Sequence, residues 1–245
     1  FAGSYFGVVW AFIQPVITVL LYWFVFEFGL HQKVNDLRTG IEVPFVLWLM
    51  GGLVPWFYFQ EALNGGTGVL DEYSYLVKKV VFQIDALPVV KLISALFTHA
   101  FFVVFMLVVF AVMGFYPDLY VLQVVYYSFC MVMFTAGLIY ATSAVTVFFR
   151  DMKEVVAILL QIGMWVTPIM WNFESMQGIP KWAVVLLKLN PMYYIVSGYR
   201  DALINKTAFW EHPGLTLWFW GITLFTLWAG TTVFKRLRVH FADVL

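Results

Sequence analysis

The stretch Val8–Phe26, VVWAFIQPVITVLLYWFVF, decides the fold class. Its 19 residues carry no charge. At a rise of about 1.5 Å per residue a helix of that length covers about 28 Å, close to the hydrocarbon thickness of a bilayer. Pro15 lies inside it and predicts a kink or a local break.

Further apolar runs follow outward from this one, at Pro44–Phe59, Leu92–Gly114, Tyr120–Phe149, Val155–Trp171 and Gly214–Phe234. Gly51, Gly52 and Pro55 interrupt the second, and His99 lies within the third. The expected fold is all-α: a polytopic membrane protein, one transmembrane domain over 1–245, with spans near 8–30, 44–63, 90–114, 120–149, 154–172 and 214–234. Composition agrees. Hydrophobic residues make up 63% of the 245 and charged ones 11%, against about 25% charged in a soluble domain. Mean hydropathy is +0.87. This excludes an ordinary soluble enzyme. Formal net charge is zero, which says nothing about a charged partner, and Cys130 has no partner for an intrachain disulfide.

The connections carry the remaining polarity. His31–Glu42 reads as a loop. Asn64–Gly68 (NGGTG) is a breaker cluster. Asp71–Lys91 is too charged to span and reads as an amphipathic helix on the membrane surface. Arg150–Glu154 is a charged turn. Between 172 and 213, Lys181–Leu189 and Pro191–Ile204 are too short to cross, and two helices that dip into the outer leaflet and return are expected, joined by a turn at Asn190-Pro191. Lys235, Arg236 and Arg238 collect directly after the last run, which puts both termini in the cytoplasm.

No catalytic or nucleotide motif is present. The pattern G-x-x-x-x-G-K-[ST] does not occur, nor does H-E-x-x-H or C-x-x-C. The acids Glu27, Glu61 and Asp85 are dispersed, which disfavours a membrane-embedded enzyme. His99 is isolated and no internal repeat is visible, which disfavours an ion-coupled secondary transporter. Aromatics make up 20% of the chain. Interface anchoring accounts for many of them. Others are candidates to line a passage, since aromatic faces suit the apolar C–H faces of sugars. On the first span these candidates are Trp10, Tyr22, Trp23 and Phe26, with Gln14 to meet hydroxyls. On the fifth they are Gln161, Trp165 and Trp171. Glue between helices is an equal reading of the two glutamines.

Taken together, these residues resemble a known family, the permease subunits of ATP-binding-cassette exporters for bacterial cell-surface polymers. Ser4, Gly7, Trp10 and Pro15 match the family's S-x-L-G-x-x-W-x-x-x-x-P pattern, with Phe6 in place of Leu. Leu76–Phe82 with Leu87-Pro88 resembles the cytoplasmic segment between spans two and three, and Phe148–Asp151 the turn between spans four and five. Thr167-Pro168-Ile169 and Asn190–Tyr194 resemble the end of span five and the re-entrant outer helices. Gly198–Asp201 and the ending His240–Leu245 look most like the wall teichoic acid branch. The family has an amphipathic helix before the first span, and such a segment is expected ahead of this chain.

The resemblance implies a homodimer of permeases with two separate cytoplasmic ATPase subunits, and no enzyme activity or cofactor in this chain. ATP and magnesium belong to the ATPase. The cargo would be a polymer on undecaprenyl diphosphate, passing through a lateral aromatic-lined channel in the plasma membrane; nucleic acid is not a partner. By resemblance the ATPase contacts are Tyr75, Leu76, Lys78, Lys79, Phe82, Arg150 and Asp151. Candidates at the outer gate are Asn190, Pro191, Tyr193, Tyr194 and Arg200. Arg200, Lys181 and Lys188 are further expected to attract polymer phosphates. The expected cargo is wall teichoic acid; the alternative is a neutral polysaccharide of O-antigen or capsule type.

Overall fold

In the computed structural model, residues 9–29, 34–35, 42–77, 83–172 and 178–244 are described. Helices α1 (Trp10–Trp23), α2 (Phe45–Thr67), α3 (Val69–Glu72) and α4 (Ser74–Val77) come first. α5 (Ala86–Val112), α6 (Leu122–Phe148) and α7 (Met152–Val166) follow. Then come α8 (Lys181–Leu189), α9 (Pro191–Arg200), α10 (Pro213–Leu237) and α11 (Phe241–Val244). α1 runs on through a wider π-helical turn at Phe24–Gly29, and α9 through another at Asp201–Asn205.

A helix that is apolar on nearly every face belongs inside a bundle. α2 is that helix: Phe45–Trp56 is buried throughout, and α1, α5, α6, α7 and α9 surround it. Its exposed positions are Gln60, Glu61 and Asn64, all on one side. α6 and α10 pack so closely that a Cβ on Gly230 would lie 2.0 Å from the Gly137 carbonyl oxygen. Small residues at a crossing let two backbones touch, the usual device where lipid replaces water.

Among the described residues, four helical segments are long and apolar enough to cross a membrane: Phe12–Gly29, Ala86–Val112, Leu119–Phe148 and Pro213–His240. They match four of the six expected spans. Large side chains such as Phe97 (76% exposed) and Leu217 (75%) point outward from them, which suits a hydrocarbon surround. The other two expected spans differ from these four. α2 is about 35 Å long but carries Gln60, Glu61, Asn64 and four glycines. α7 is about 22 Å long and ends at Val166, short of the expected 172. Thr167 takes an extended backbone (φ −75°, ψ 127°) because Pro168 follows it.

The described residues are nearly all helical, as the all-α reading expects, with one two-residue antiparallel pair, Val34–Asn35 with Glu42–Val43, inside the expected loop. Where a surface helix is expected over Asp71–Lys91, the described residues show two single turns, α3 and α4, separated at Tyr73, and α5 already begins at Ala86. Lys78, Lys79 and Phe82 lie outside the described residues. The 172–213 segment does hold two short helices. Asn190 caps the second, its side-chain oxygen accepting from the Met192 N–H at 3.0 Å, with Pro191 at the first helical position.

A candidate polar cavity beside α2

Each of three helices carries a polar stripe at helical spacing, and packing turns the three toward one another. On α1, Gln14, Thr18 and Tyr22 recur every four residues. On α2, Phe57, Gln60, Glu61 and Asn64 share a face, and on α5 Thr98, His99 and Phe102 do so. Between them lies a cavity of about 480 Å³, with Met164 of α7 at its border. Pro15 lines it as well and removes a backbone N–H from α1.

Among the described residues, Glu61 is the one formally charged residue in this lining. Thr98 Oγ1 donates to its Oε1 at 3.4 Å. The Tyr58 ring stands edge-on to the His99 ring, centroids 5.3 Å apart. His99 joins the cavity to the buried bundle. Its Nε2 is 2.9 Å from the Tyr199 hydroxyl and 3.2 Å from Ser128 Oγ, and these two oxygens are 2.6 Å apart. The three residues tie α5, α6 and α9 through one polar node.

Arg200, next to Tyr199, is buried. Its Nε donates to the Trp48 carbonyl at 3.2 Å, Nη1 to that of Pro168 at 2.7 Å and Nη2 to that of Ile169 at 2.8 Å. This corrects the expectation that Arg200 attracts polymer phosphates. Its donors close the backbone that Pro168 leaves outside α7. Asn190 Nδ2 donates to Thr167 Oγ1 at 2.8 Å, so the Thr-Pro-Ile and Asn-Pro motifs form one joint. Tyr194 Oη lies 3.2 Å from Tyr126 Oη and 3.1 Å from Thr216 Oγ1. Tyr193 is buried as well.

Of the channel candidates, Gln14 and Tyr22 line the polar cavity. Trp23 lines a smaller apolar one of about 130 Å³ between α1, α2 and α5. Its indole N–H also donates to the Glu27 carboxylate. Phe26 stacks near Phe45, centroids 5.5 Å apart. Trp10, Gln161 and Trp165 face outward, and the Trp171 indole donates to the Trp165 carbonyl at 3.0 Å. Gln60, Glu61, Asn64 and Thr98 were missed. Gln60 and Asn64, four apart and on one face with Glu61, were available as a signal, but in a helix rich in aromatics.

At the other end of the bundle the expected coupling segments meet. Lys153, just after the exposed Arg150-Asp151 turn, pairs with Asp71 of α3 at 2.7 Å. Lys91 pairs with Glu72 at 2.7 Å, and Arg238 with Asp85. Tyr75 on α4 is exposed, and Leu76 follows it in the same turn.

The sequence model of the ABC-2 type transporter family matches residues 1–204. The chain belongs to that family. Curated relatives align along nearly all of it. The O-antigen export system permease protein RfbA of Myxococcus xanthus is 26% identical over 243 residues, covering 99% of this chain and 89% of that one. RfbA of Klebsiella pneumoniae is 24% identical over 250 residues, covering 100% and 90%. The polysialic acid transport protein KpsM of Escherichia coli is 25% identical over 231 residues, covering 94% and 85%. As an ABC-2 family member with apolar helices of spanning length, the chain is a multi-pass membrane permease.

Proposed function

We propose that the chain is the permease of an ATP-driven exporter that carries a lipid-linked polysaccharide of O-antigen or capsular type across the bacterial inner membrane. One observation carries this reading: the full-length similarity to permeases named for O-antigen export and polysialic acid transport. In this reading two copies of the chain join two cytoplasmic ATPase subunits, which hold ATP and magnesium. The chain crosses six times with both termini in the cytoplasm, α2 and α7 completing the set. α8 and α9 return from the outer leaflet. The ATPase pushes on α3, α4 and the 149–154 turn, where Asp71 and Lys153 already link the two segments. That push moves α1 and α7 apart and opens the polar cavity to the glycan.

Wall teichoic acid is the weaker reading of the cargo. It rested on Gly198–Asp201 and the terminal hexapeptide, and packing accounts for several of those residues. Gly198 receives the Tyr127 ring, Tyr199 meets His99 and Arg200 holds three carbonyls. Phe241 is buried against Phe234 and Phe148. Such positions record how the bundle closes and not what passes through it.

Deleting the gene in the source organism and analysing surface sugar and wall phosphate separately tests the proposal. Loss of a surface glycan, with its lipid-linked form accumulating in the inner membrane, is expected. Loss of wall phosphate with surface glycan unchanged would favour teichoic acid. No change in either would remove the exporter reading.

A further inference from the structure

We infer that a crevice between α7 and the wall formed by α2 and α6 seats the hydrocarbon tail of the lipid-linked cargo, and that it is built for an unsaturated chain of isoprenoid type. The inference rests on the exporter reading and adds to it a place for the lipid. Trp56 and Phe59 of α2, Leu138 of α6, and Leu159, Leu160 and Gly163 of α7 line a space of about 220 Å³. Leu159 stands at its rim, 61% exposed. From Val156 to Gly163 it follows α7 for about 10 Å. Sites that enclose a whole small molecule are larger, roughly 300–1,000 Å³. This one suits a length of chain that enters from the side.

One polar group decides the kind of chain. The Trp56 indole N–H is buried and has no acceptor among the described residues. Other polar side chains of the lining are paired: Thr142 Oγ1 lies 2.9 Å from Thr67 Oγ1, and Asn190 Nδ2 donates to Thr167 Oγ1 at 2.8 Å. A lone donor does not hold a water, which needs at least about two polar partners. Trp56 sits midway along the 23 residues of α2, about 17 Å from either end. A phospholipid ester stays at headgroup level and does not reach it. A C=C bond does, and its π face accepts a weak N–H bond. An isoprenoid chain carries such bonds at regular intervals, so one lies beside Trp56 wherever the chain stops.

The phosphates of such a lipid find a place too. At its inner end the crevice starts at Val156, one turn along α7 from Lys153. Arg150, just before the helix, is exposed and has no ion-pair partner among the described residues, Asp151 beside it included. A guanidinium fork suits a diphosphate, whatever charge the glycan carries. Leu160 and Gly163 line the crevice while Met164 borders the polar cavity. α7 therefore stands between the lipid tail and the glycan.

The test uses the full-length chain in nanodiscs of saturated phospholipid, with a farnesyl diphosphate that carries a photoactivatable diazirine at its far end. Crosslinked residues are mapped by peptide mass spectrometry. Label should gather at crevice positions such as Leu138 and Leu159. This map needs no variant, so it stands even where a substitution unfolds the chain. Leu138→Trp fills the crevice and should cut labelling at least about tenfold. Leu20→Trp fills the separate apolar groove between α1, α2 and α5 and should leave labelling unchanged. Trp56→Phe keeps a ring, removes the N–H and should weaken labelling about threefold. Unlabelled geranylgeranyl diphosphate should compete about threefold better than its saturated counterpart, phytanyl diphosphate, and lose that advantage in Trp56→Phe. Label spread over the lipid-facing surface, or gathered at the α1–α2–α5 groove, overturns the inference. Equal competition by the saturated diphosphate does the same. So does competition by dioleoyl phosphatidylglycerol as strong as by the prenyl diphosphate, for the crevice would then hold bilayer lipid. Labelling confined to the monomeric chain also overturns it, since a second copy would then cover the crevice. None of these outcomes bears on the gene-deletion result, so the tail site and the exporter reading fail separately.

Discussion

The Arg200 guanidinium lies 3.3 Å from the centre of the Trp48 ring. Stacking and hydrogen bonding act together here, since the same group donates to the Trp48, Pro168 and Ile169 carbonyls. One side chain therefore fastens α9 to the start of α2 and to the backbone beyond α7. Arg200→Met keeps much of the volume and removes every donor. Leaving buried carbonyls unpaired should cost about 3 kcal/mol. Arg200→Lys keeps the charge but not the planar fork, and should cost about 1–2 kcal/mol. Thermal unfolding in detergent, followed by size-exclusion chromatography, should rank them natural chain, Lys, then Met.

Gly52 makes room for that clamp. A Cβ there would stand 2.9 Å from Arg200 Nη2, 3.1 Å from Ile169 Cγ2 and 3.3 Å from Ile169 Cα. The last contact is backbone and cannot swing aside. Gly52→Ala should lower stability by about 1–3 kcal/mol. Combined with Arg200→Met it should cost less than the sum of the two, because the displaced group is already gone. The same unfolding assay reads the difference.

Gly198 and Tyr127 form a second fixed pair. A Cβ on Gly198 would fall within 2.1–2.4 Å of three Tyr127 ring atoms, and Tyr127 is buried. Gly198→Ala alone should sharply reduce the yield of monodisperse protein. Gly198→Ala with Tyr127→Leu should recover part of it, since the smaller side chain vacates the ring's place. Recovery is the diagnostic outcome; equal yields from the single and double variants would show that the ring is not the obstacle.

The Asp71–Lys153 pair should behave differently. Its side chains are 22% and 44% exposed, and pairs of that kind contribute about 0–1 kcal/mol. Lys153→Glu should leave the unfolding temperature nearly unchanged while it weakens the response of the partner ATPase to cargo. The exchange Asp71→Lys with Lys153→Glu should restore that response. ATP turnover with and without cargo measures both.

How far the sequence could be read depends on where each signal lay along the chain. Uninterrupted apolar runs are local, and four of them became helices of spanning length at the expected places. Asn190-Pro191 is local as well; read as a turn, it starts α9 by capping it. The end of α7 depends on Pro168, which hydropathy alone counts straight through. The break at Tyr73 has no Gly or Pro to mark it. The polar cavity needs three helices, and each stripe taken alone is a minority of its helix. Gln14 and His99 were noticed singly, and Glu61 read as one of several scattered acids. Their meeting is a fact of packing. Arg200 was misread for a related reason: its partners are carbonyls at positions 48, 168 and 169, and backbone acceptors leave no mark in composition.

The central claim is that this permease works with an ATPase on a lipid-linked glycan. The most direct test is to co-express the chain with its candidate ATPase, purify in lipid, and measure ATP turnover with and without an undecaprenyl-diphosphate-linked neutral glycan. The account predicts a stable complex whose turnover changes with the neutral glycan and not with a lipid-linked teichoic acid precursor. A chain that purifies alone and never recruits an ATPase would contradict it.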